Sequence, residues 1–202
     1  MTAPRSVVRF KVTLKDVEPV VMRRLEVPLK IRLDRLHLVL QAAMGWTNTH
    51  LYVFTAGGMS WGLPDPDFGD EDLPADKSTL LDILDDTGAR TIHYLYDFGN
   101  GWDHVIKIER ILDAVPMTPY PMLLAAEGRC PPEDVGGPPG YQDFLEILAD
   151  PDHEEHEQML TWCGGAFDPR KPEIDRILAE LDKLAKKWAP RPRRASTKHR
   201  TH

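Results

Sequence analysis

The sequence predicts an α+β protein: a mixed or antiparallel sheet built from hairpins, helices packed on it, and a helical C-terminal third. Three observations carry this. Residues 7–15 alternate strictly, with Val8, Phe10, Val12 and Leu14 on one side and Arg9, Lys11, Thr13 and Lys15 on the other, the period of a strand with one wet face. Asn100-Gly101 sits between two apolar-periodic segments, a strong hairpin signal. Beyond Pro172, the residues Ile174, Ile177, Leu178, Leu181, Leu184 and Trp188 recur at helical spacing.

The elements follow in order. Asp16 to Pro19 turns the first strand into a second, Val20 to Val27. Leu33, Leu36, Leu40 and Ala43 recur at three and four, so 33–44 reads as a helix that Gly45 stops. His50 to Phe54 is a short aromatic strand, and Gly57-Gly58 returns it around Met59 to Leu63. Residues 64–77 are rich in Pro and Asp and read as an exposed loop. Ser78 or Thr79 caps a short helix ending at Gly88. Thr91 to Tyr96 and Trp102 to Ile111 flank the Asn-Gly turn, where positive φ is expected at both Asn100 and Gly101. Residues 112–140 hold many prolines and four glycines and read as irregular. Helices are expected at Gln142 to Ala149, Glu154 to Trp162, and from Pro172 to the stop at Pro190 and Pro192. The organisation is a disordered N-terminus over 1–6, a single α+β domain over 7–188, and a basic flexible tail over 189–202. Val8, Phe10, Val12, Leu14, Leu36, Leu40, Ile106, Ile108, Ile177, Leu181 and Leu184 are expected in one core.

Composition narrows the function classes. With 42% hydrophobic and 28% charged residues, the chain is long enough for a substantial core. It has no apolar run of membrane-spanning length, and its first six residues lack the apolar stretch of a secretory signal. A cytoplasmic protein with no membrane partner is expected, with Cys130 and Cys163 as reduced thiols. The formal charge of −7 is unevenly spread: all eight cations from Lys183 onward lie in a stretch without a single acid. An acidic body with a basic end repels nucleic acid over most of its surface and attracts it at the tail, through Arg191, Arg193, Arg194, Lys198 and Arg200.

Four segments could carry chemistry. In Tyr96-Asp97-Phe98-Gly99-Asn100-Gly101-Trp102-Asp103-His104, carboxylates and an imidazole at a hairpin end could bind a metal or move protons, while turn chemistry alone also explains Asp, Asn and Gly. The loop from Cys130 through Glu133 and Asp134 to Gly136-Gly137 reads as the wall of a cleft or a wrap around the sheet. Cys130 beside two carboxylates is a poor nucleophile, because the negative charges raise its pKa. His153-Glu154-Glu155-His156 reads as a solvated first turn. The basic tail has no interleaved aromatics, so it offers no stacking platform for bases.

Several motifs together are similar to one family. They are Glu18-Pro19-Val20-Val21-Met22-Arg23-Arg24-Leu25, Leu36-His37, Met44-Gly45-Trp46-Thr47, His50, the Tyr96-to-His104 segment, and Cys130-Pro131-Pro132-Glu133-Asp134-Val135-Gly136-Gly137. Over roughly residues 7–185 the chain resembles the Ri-plasmid open-reading-frame-three-like family, some of whose members look like insertion-element passenger proteins labelled resolvases. The resemblance implies an α+β fold and an association with plasmids and mobile elements, and says little about activity. It also has departures. Met22 stands where the family usually has Trp, Asn100 and Asp103 vary its Gly-Asp-Gly-Trp-Glu-His motif, and Tyr52 replaces a second histidine.

Resolvase chemistry does not fit, since Ser6, Ser60, Ser78 and Ser196 are the only serines and none is set among arginines. The leading expectation is a non-catalytic binding or adaptor domain without a cofactor, its partner an unknown protein or a nucleic acid. Its binding residues would be His50, Asp97, Trp102, His104, Cys130, Glu133 and Asp134. The alternative is a metal-dependent or hydrolytic enzyme using His50, Asp97, His104, Cys130 and Glu133, which requires these groups to converge in one cleft.

Overall fold

The computed structural model describes residues 6–63 and 72–189. Eight strands form one sheet: β1 (Ser6–Leu14), β2 (Met22–Pro28), β3 (Tyr52–Ala56), β4 (Met59–Gly62), β5 (Leu73–Pro74), β6 (Thr91–Tyr96), β7 (Trp102–Asp113) and β8 (Met122–Glu127). Their order is β5-β4-β3-β6-β7-β1-β2-β8, and only the β4–β5 pair is parallel. Among the described residues five helices accompany the sheet: α1 (Leu33–Met44), α2 (Leu80–Thr87), α3 (Gly137–Ala149), α4 (His156–Trp162) and α5 (Ile174–Trp188). It is an α+β fold with a helical C-terminal third. Among the described residues, no helix is long and apolar enough to cross a membrane.

Strand periodicity places the core. Val8, Phe10, Val12 and Leu14 are buried with Leu36, Leu40, Ile106, Ile108, Ile177 and Leu181 in one cluster, and Leu184 packs against it. The alternate residues make ion pairs instead, Arg9 with Glu26 at 2.7 Å and Arg24 with Glu109 at 2.9 Å. Such a half-wet antiparallel sheet needs helices on one face only. Helix α1 ends where Gly45 takes φ 86°, its N–H bonded to the Gln41 carbonyl at 2.8 Å. Thr79 and Asp82 form a reciprocal capping box at the start of α2.

Several expectations are corrected. Ser6 already belongs to β1. The stretch 64–77 is not all exposed loop: residues 64–71 lie outside the described residues, but Leu73–Pro74 pair with β4 and Ala75 is buried. Residues 112–140 are not wholly irregular. Met122–Glu127 forms β8 against β2, although its Met, Leu, Ala and Glu are ordinary helix formers; an available sheet edge overrides a weak local preference. Helix α3 begins at Gly137, not Gln142, because Pro138 and Pro139 occupy first-turn positions whose N–H groups would have no helical partner anyway. The buried stripe of α5 is Ile177, Leu181 and Ala185, whereas Ile174 and Leu178 face solvent.

The Asn-Gly hairpin forms with Tyr96 opposite Trp102, but by other means than expected. Positive φ falls on Asp97 (57°) and Gly101 (70°), not on Asn100. Five residues, 97–101, separate the paired ends, so a two-residue turn is not required. The Asp97 side chain organises the loop instead, accepting from the Gly99 amide at 3.1 Å and the Asn100 amide at 3.3 Å. Asn100 contributes its side-chain amide, which donates to Asp97 Oδ2 at 2.6 Å.

Candidate functional site

Three loops meet at one end of the sheet: 46–50 after α1, 97–101 between β6 and β7, and 129–136 between β8 and α3. Each is fixed by its own chemistry. Trp46 is buried and its indole N–H donates to the Pro131 carbonyl at 3.0 Å, tying the first loop to the third. Gly137, at φ 70°, lies so close to the Asn100 carbonyl that a Cβ there would collide with it; the start of α3, directly after the third loop, therefore meets the second loop at a position only glycine fills. Below them lies a buried polar chain. The Tyr94 hydroxyl accepts from Gln41 Nε2 at 3.1 Å and lies 2.7 Å from His37 Nδ1, while His37 Nε2 meets the side-chain oxygen of Asn48. Because that oxygen only accepts, the His37 proton is on Nε2 and Tyr94 donates to Nδ1.

At the mouth, His50 Nε2 lies 2.9 Å from Asp134 Oδ1 and 3.6 Å from Asp97 Oδ2. One ligand-type atom from each residue falls within 4.8 Å of the others, the one such group of three or more among the described residues. Asp97 is buried (6% exposed), His50 is partly buried and Asp134 is exposed, so the cluster has a fixed floor and an open top.

Glu133 stands beside it. Its Oε2 accepts from the Thr47 amide at 2.8 Å and from the Thr47 hydroxyl, and its Oε1 accepts from Thr49 Oγ1 at 3.2 Å and from the Tyr96 hydroxyl. The Tyr96 oxygen in turn accepts from the Thr49 amide at 3.1 Å and the His50 amide at 3.3 Å. Burial pushes the Glu133 carboxyl up, but the donors from Thr47, Tyr96 and Thr49 outweigh it and hold it below its ordinary value. Burial, together with that carboxylate, pushes the Tyr96 phenol up to about 12. The pair is thus an ionised carboxylate receiving a phenol proton bond.

Of the sequence-expected residues, the fold brings together His50, Asp97, Glu133 and Asp134. Trp102, His104 and Cys130 stand apart from the open cluster. Trp102 is fully buried beneath the hairpin, its ring 5.6 Å from that of Trp46. His104 is fully buried, and its Nδ1 lies 3.1 Å from the Tyr94 carbonyl and 3.0 Å from the Trp102 carbonyl. Parity explains this: His104 shares its strand face with Trp102 and Ile106 and so points into the core. Cys130 is buried beyond Glu133, in a cavity of about 220 Å³ it shares with Cys163, Arg129 and Arg176. Burial pushes its thiol up to about 12, with Arg23 opposing, which makes it a poor nucleophile. A cleft uniting His50, His104 and Cys130, as the hydrolytic alternative required, is not formed. Neither do His153 and His156 form a site; they bond to the Glu155 amide and the Ile147 carbonyl. Arg191, Arg193, Arg194, Lys198 and Arg200 lie outside the described residues.

Sequence reasoning missed Thr47, Thr49, Tyr96 and the His37–Tyr94 chain. A signal existed: Thr47-Asn48-Thr49-His50 is an unbroken polar run directly after a helix stop, and Tyr94 and Tyr96 carry hydroxyls at inward positions of a strand.

The profile of plasmid pRiA4b ORF-3-like proteins matches residues 6–176, spanning all three loops. The chain belongs to that family. It is 56% identical over 190 residues to the uncharacterized protein y4hQ of Sinorhizobium fredii, covering 94% of this chain and 97% of that one. The pRiA4b ORF-3-like fold also has a solved counterpart, the protein of unknown function MM3350 from Methanosarcina mazei Go1. It superposes with a TM-score of 0.74 at 32% identity, covering 84% of this chain and 96% of the other.

Proposed function

We propose that the protein is a binding module that holds one divalent metal ion, of the zinc or manganese class, between His50, Asp97 and Asp134. The observation that carries this reading is the approach of one imidazole nitrogen and two carboxylates to within 4.8 Å of one another at an open loop end. The donor set suits such ions: imidazole with carboxylate oxygens binds zinc and its first-row neighbours, whereas calcium and magnesium favour oxygen alone. The proton that His50 Nε2 directs at the carboxylates is the one an ion would displace. Asp97 is oriented in advance by two loop amides and the Asn100 side chain, as a ligand carboxylate requires. Two protein ligands at the surface and one buried leave further coordination positions toward solvent. The reading departs from the expectation of a domain without a cofactor and keeps the expectation of a binding role.

Calorimetric titration of the chelator-treated protein with zinc chloride, then manganese chloride, tests it. One ion per chain is expected. His50→Ala and Asp134→Asn should each weaken binding by more than the roughly 10–100-fold that losing an outer partner of a ligand costs. Both positions are at the mouth, so melting temperatures without metal should change little. Absence of saturable binding by the wild-type chain would reduce the cluster to an ion-pair pin between loops.

A further inference from the structure

We infer that Glu133 is the positioning residue of this site, a carboxylate latch that sets the geometry of His50 and Asp134 without touching the ion. The inference rests on the metal-binding reading of the cluster. Glu133 is adjacent in sequence to Asp134, and it is bound to the loop that carries His50 by the Thr47 amide, the Thr47 hydroxyl and the Thr49 hydroxyl. Through Tyr96 it reaches the same loop again, since the phenol that donates to Glu133 accepts from the Thr49 and His50 amides. A single carboxylate therefore fixes both the middle of the third loop and the backbone of His50, and it fixes them to Tyr96, the last residue of β6 and the neighbour of Asp97.

Its surroundings argue against a ligand role. Both carboxylate oxygens are occupied by donors, and Glu133 is not one of the three groups that share the 4.8 Å cluster. The side-chain hydroxyls of Thr47, Thr49 and Tyr96 converge on this one carboxylate. With the Thr47 amide they supply four donors to one acceptor group, an arrangement that holds an ionised carboxylate in one orientation. Glutamine at this position keeps the length but replaces one acceptor oxygen with an N–H₂; the Thr47 amide can only donate and the Tyr96 oxygen already accepts from two amides, so in either orientation at least one of the contacts is lost.

The test compares zinc affinity and amide hydrogen exchange in wild type, Glu133→Gln, Tyr96→Phe and the double variant. Glu133→Gln is expected to weaken zinc binding by about 10–100-fold. In the metal-free protein it should speed exchange at the Thr47, Thr49 and His50 amides while leaving the β1 and β7 amides protected. Tyr96→Phe should produce a smaller loss of the same kind, and the double variant should be no weaker than Glu133→Gln alone, because the phenol acts through the carboxylate. Wild-type affinity in Glu133→Gln would overturn the latch while leaving the metal site standing, as would losses that multiply in the double variant. A wild-type chain that binds no zinc would overturn the metal reading and the latch with it. If Glu133→Gln does not fold, Tyr96→Phe with Thr49→Val takes its place, and unchanged zinc affinity in that pair would equally overturn the inference.

Discussion

Arg23→Met is expected to lower the free energy of unfolding by about 2–4 kcal/mol, from one buried acceptor that loses about 1–3 kcal/mol and two partly buried ones that lose less, offset by the burial penalty the guanidinium itself no longer carries. Arg23 is 1% exposed, and its acceptors are carbonyls: Ala43 at 2.8 Å, Met22 at 2.8 Å and Glu127 at 2.7 Å. These belong to the last turn of α1, the start of β2 and the end of β8. The guanidinium thus joins the helix and strands from which the first and third loops emerge, at the end of α1 where the helix dipole favours a cation. Arg24→Met is the control. Arg24 pairs with Glu109 on the wet face, where water screens the pair and its loss costs little. Urea denaturation of both variants measures the difference. Equal small losses would mean that the Arg23 contacts are not what joins these elements.

Stability should also fall steeply with acid, by up to about 3 kcal/mol per pH unit between the ordinary histidine value of 6.5 and about 4. Burial lowers the pKa of both His37 and His104 to about 4, because a charge on either buried ring would be cut off from water. The sign follows from proton counts. Between pH 6.5 and 4 the unfolded chain binds both protons and the folded chain binds neither, so each step down in pH favours unfolding. Above 6.5 neither state binds them and the contribution is complete and constant. Denaturation curves at half-unit steps from pH 7.5 to 4.5 show the slope, and His37→Gln, whose amide can still meet Tyr94 and Asn48, should reduce it by about half. A flat profile from pH 6.5 to 5 would show that these rings titrate normally in the folded protein.

The two histidines also mark what was legible in the sequence. The sheet strands with strict alternation and the helix bounded by Gly45 followed from pattern alone, since a two-residue or 3.6-residue period must put its apolar side inward. β8 did not, because Met122–Glu127 has no alternation and becomes a strand only by lying against β2. The candidate site was half legible. Asp97, Glu133 and Asp134 stood out as polar residues in Gly- and Pro-rich segments and His50 through the resemblance to the family, and those segments converge. His104 stood out equally and is a core residue, because the parity of β7 turns it inward. Tyr96 and Thr47 were overlooked because a phenol and a hydroxyl have no distinctive pattern; their role depends on a carboxylate that lies 37 residues beyond the one and 86 beyond the other. Which loop ends meet is decided by strand order, and strand order cannot be read from local spacing.

X-ray absorption at the zinc edge of the loaded protein tests the central claim most directly. The expected coordination sphere consists of nitrogen and oxygen atoms at about 2.0–2.2 Å, with the outer-sphere signature of one imidazole and no sulfur. A sulfur contribution near 2.3 Å would place the ion at Cys130 or Cys163, and a sphere of oxygens without imidazole would place it away from His50. Either result would contradict the site proposed at His50, Asp97 and Asp134.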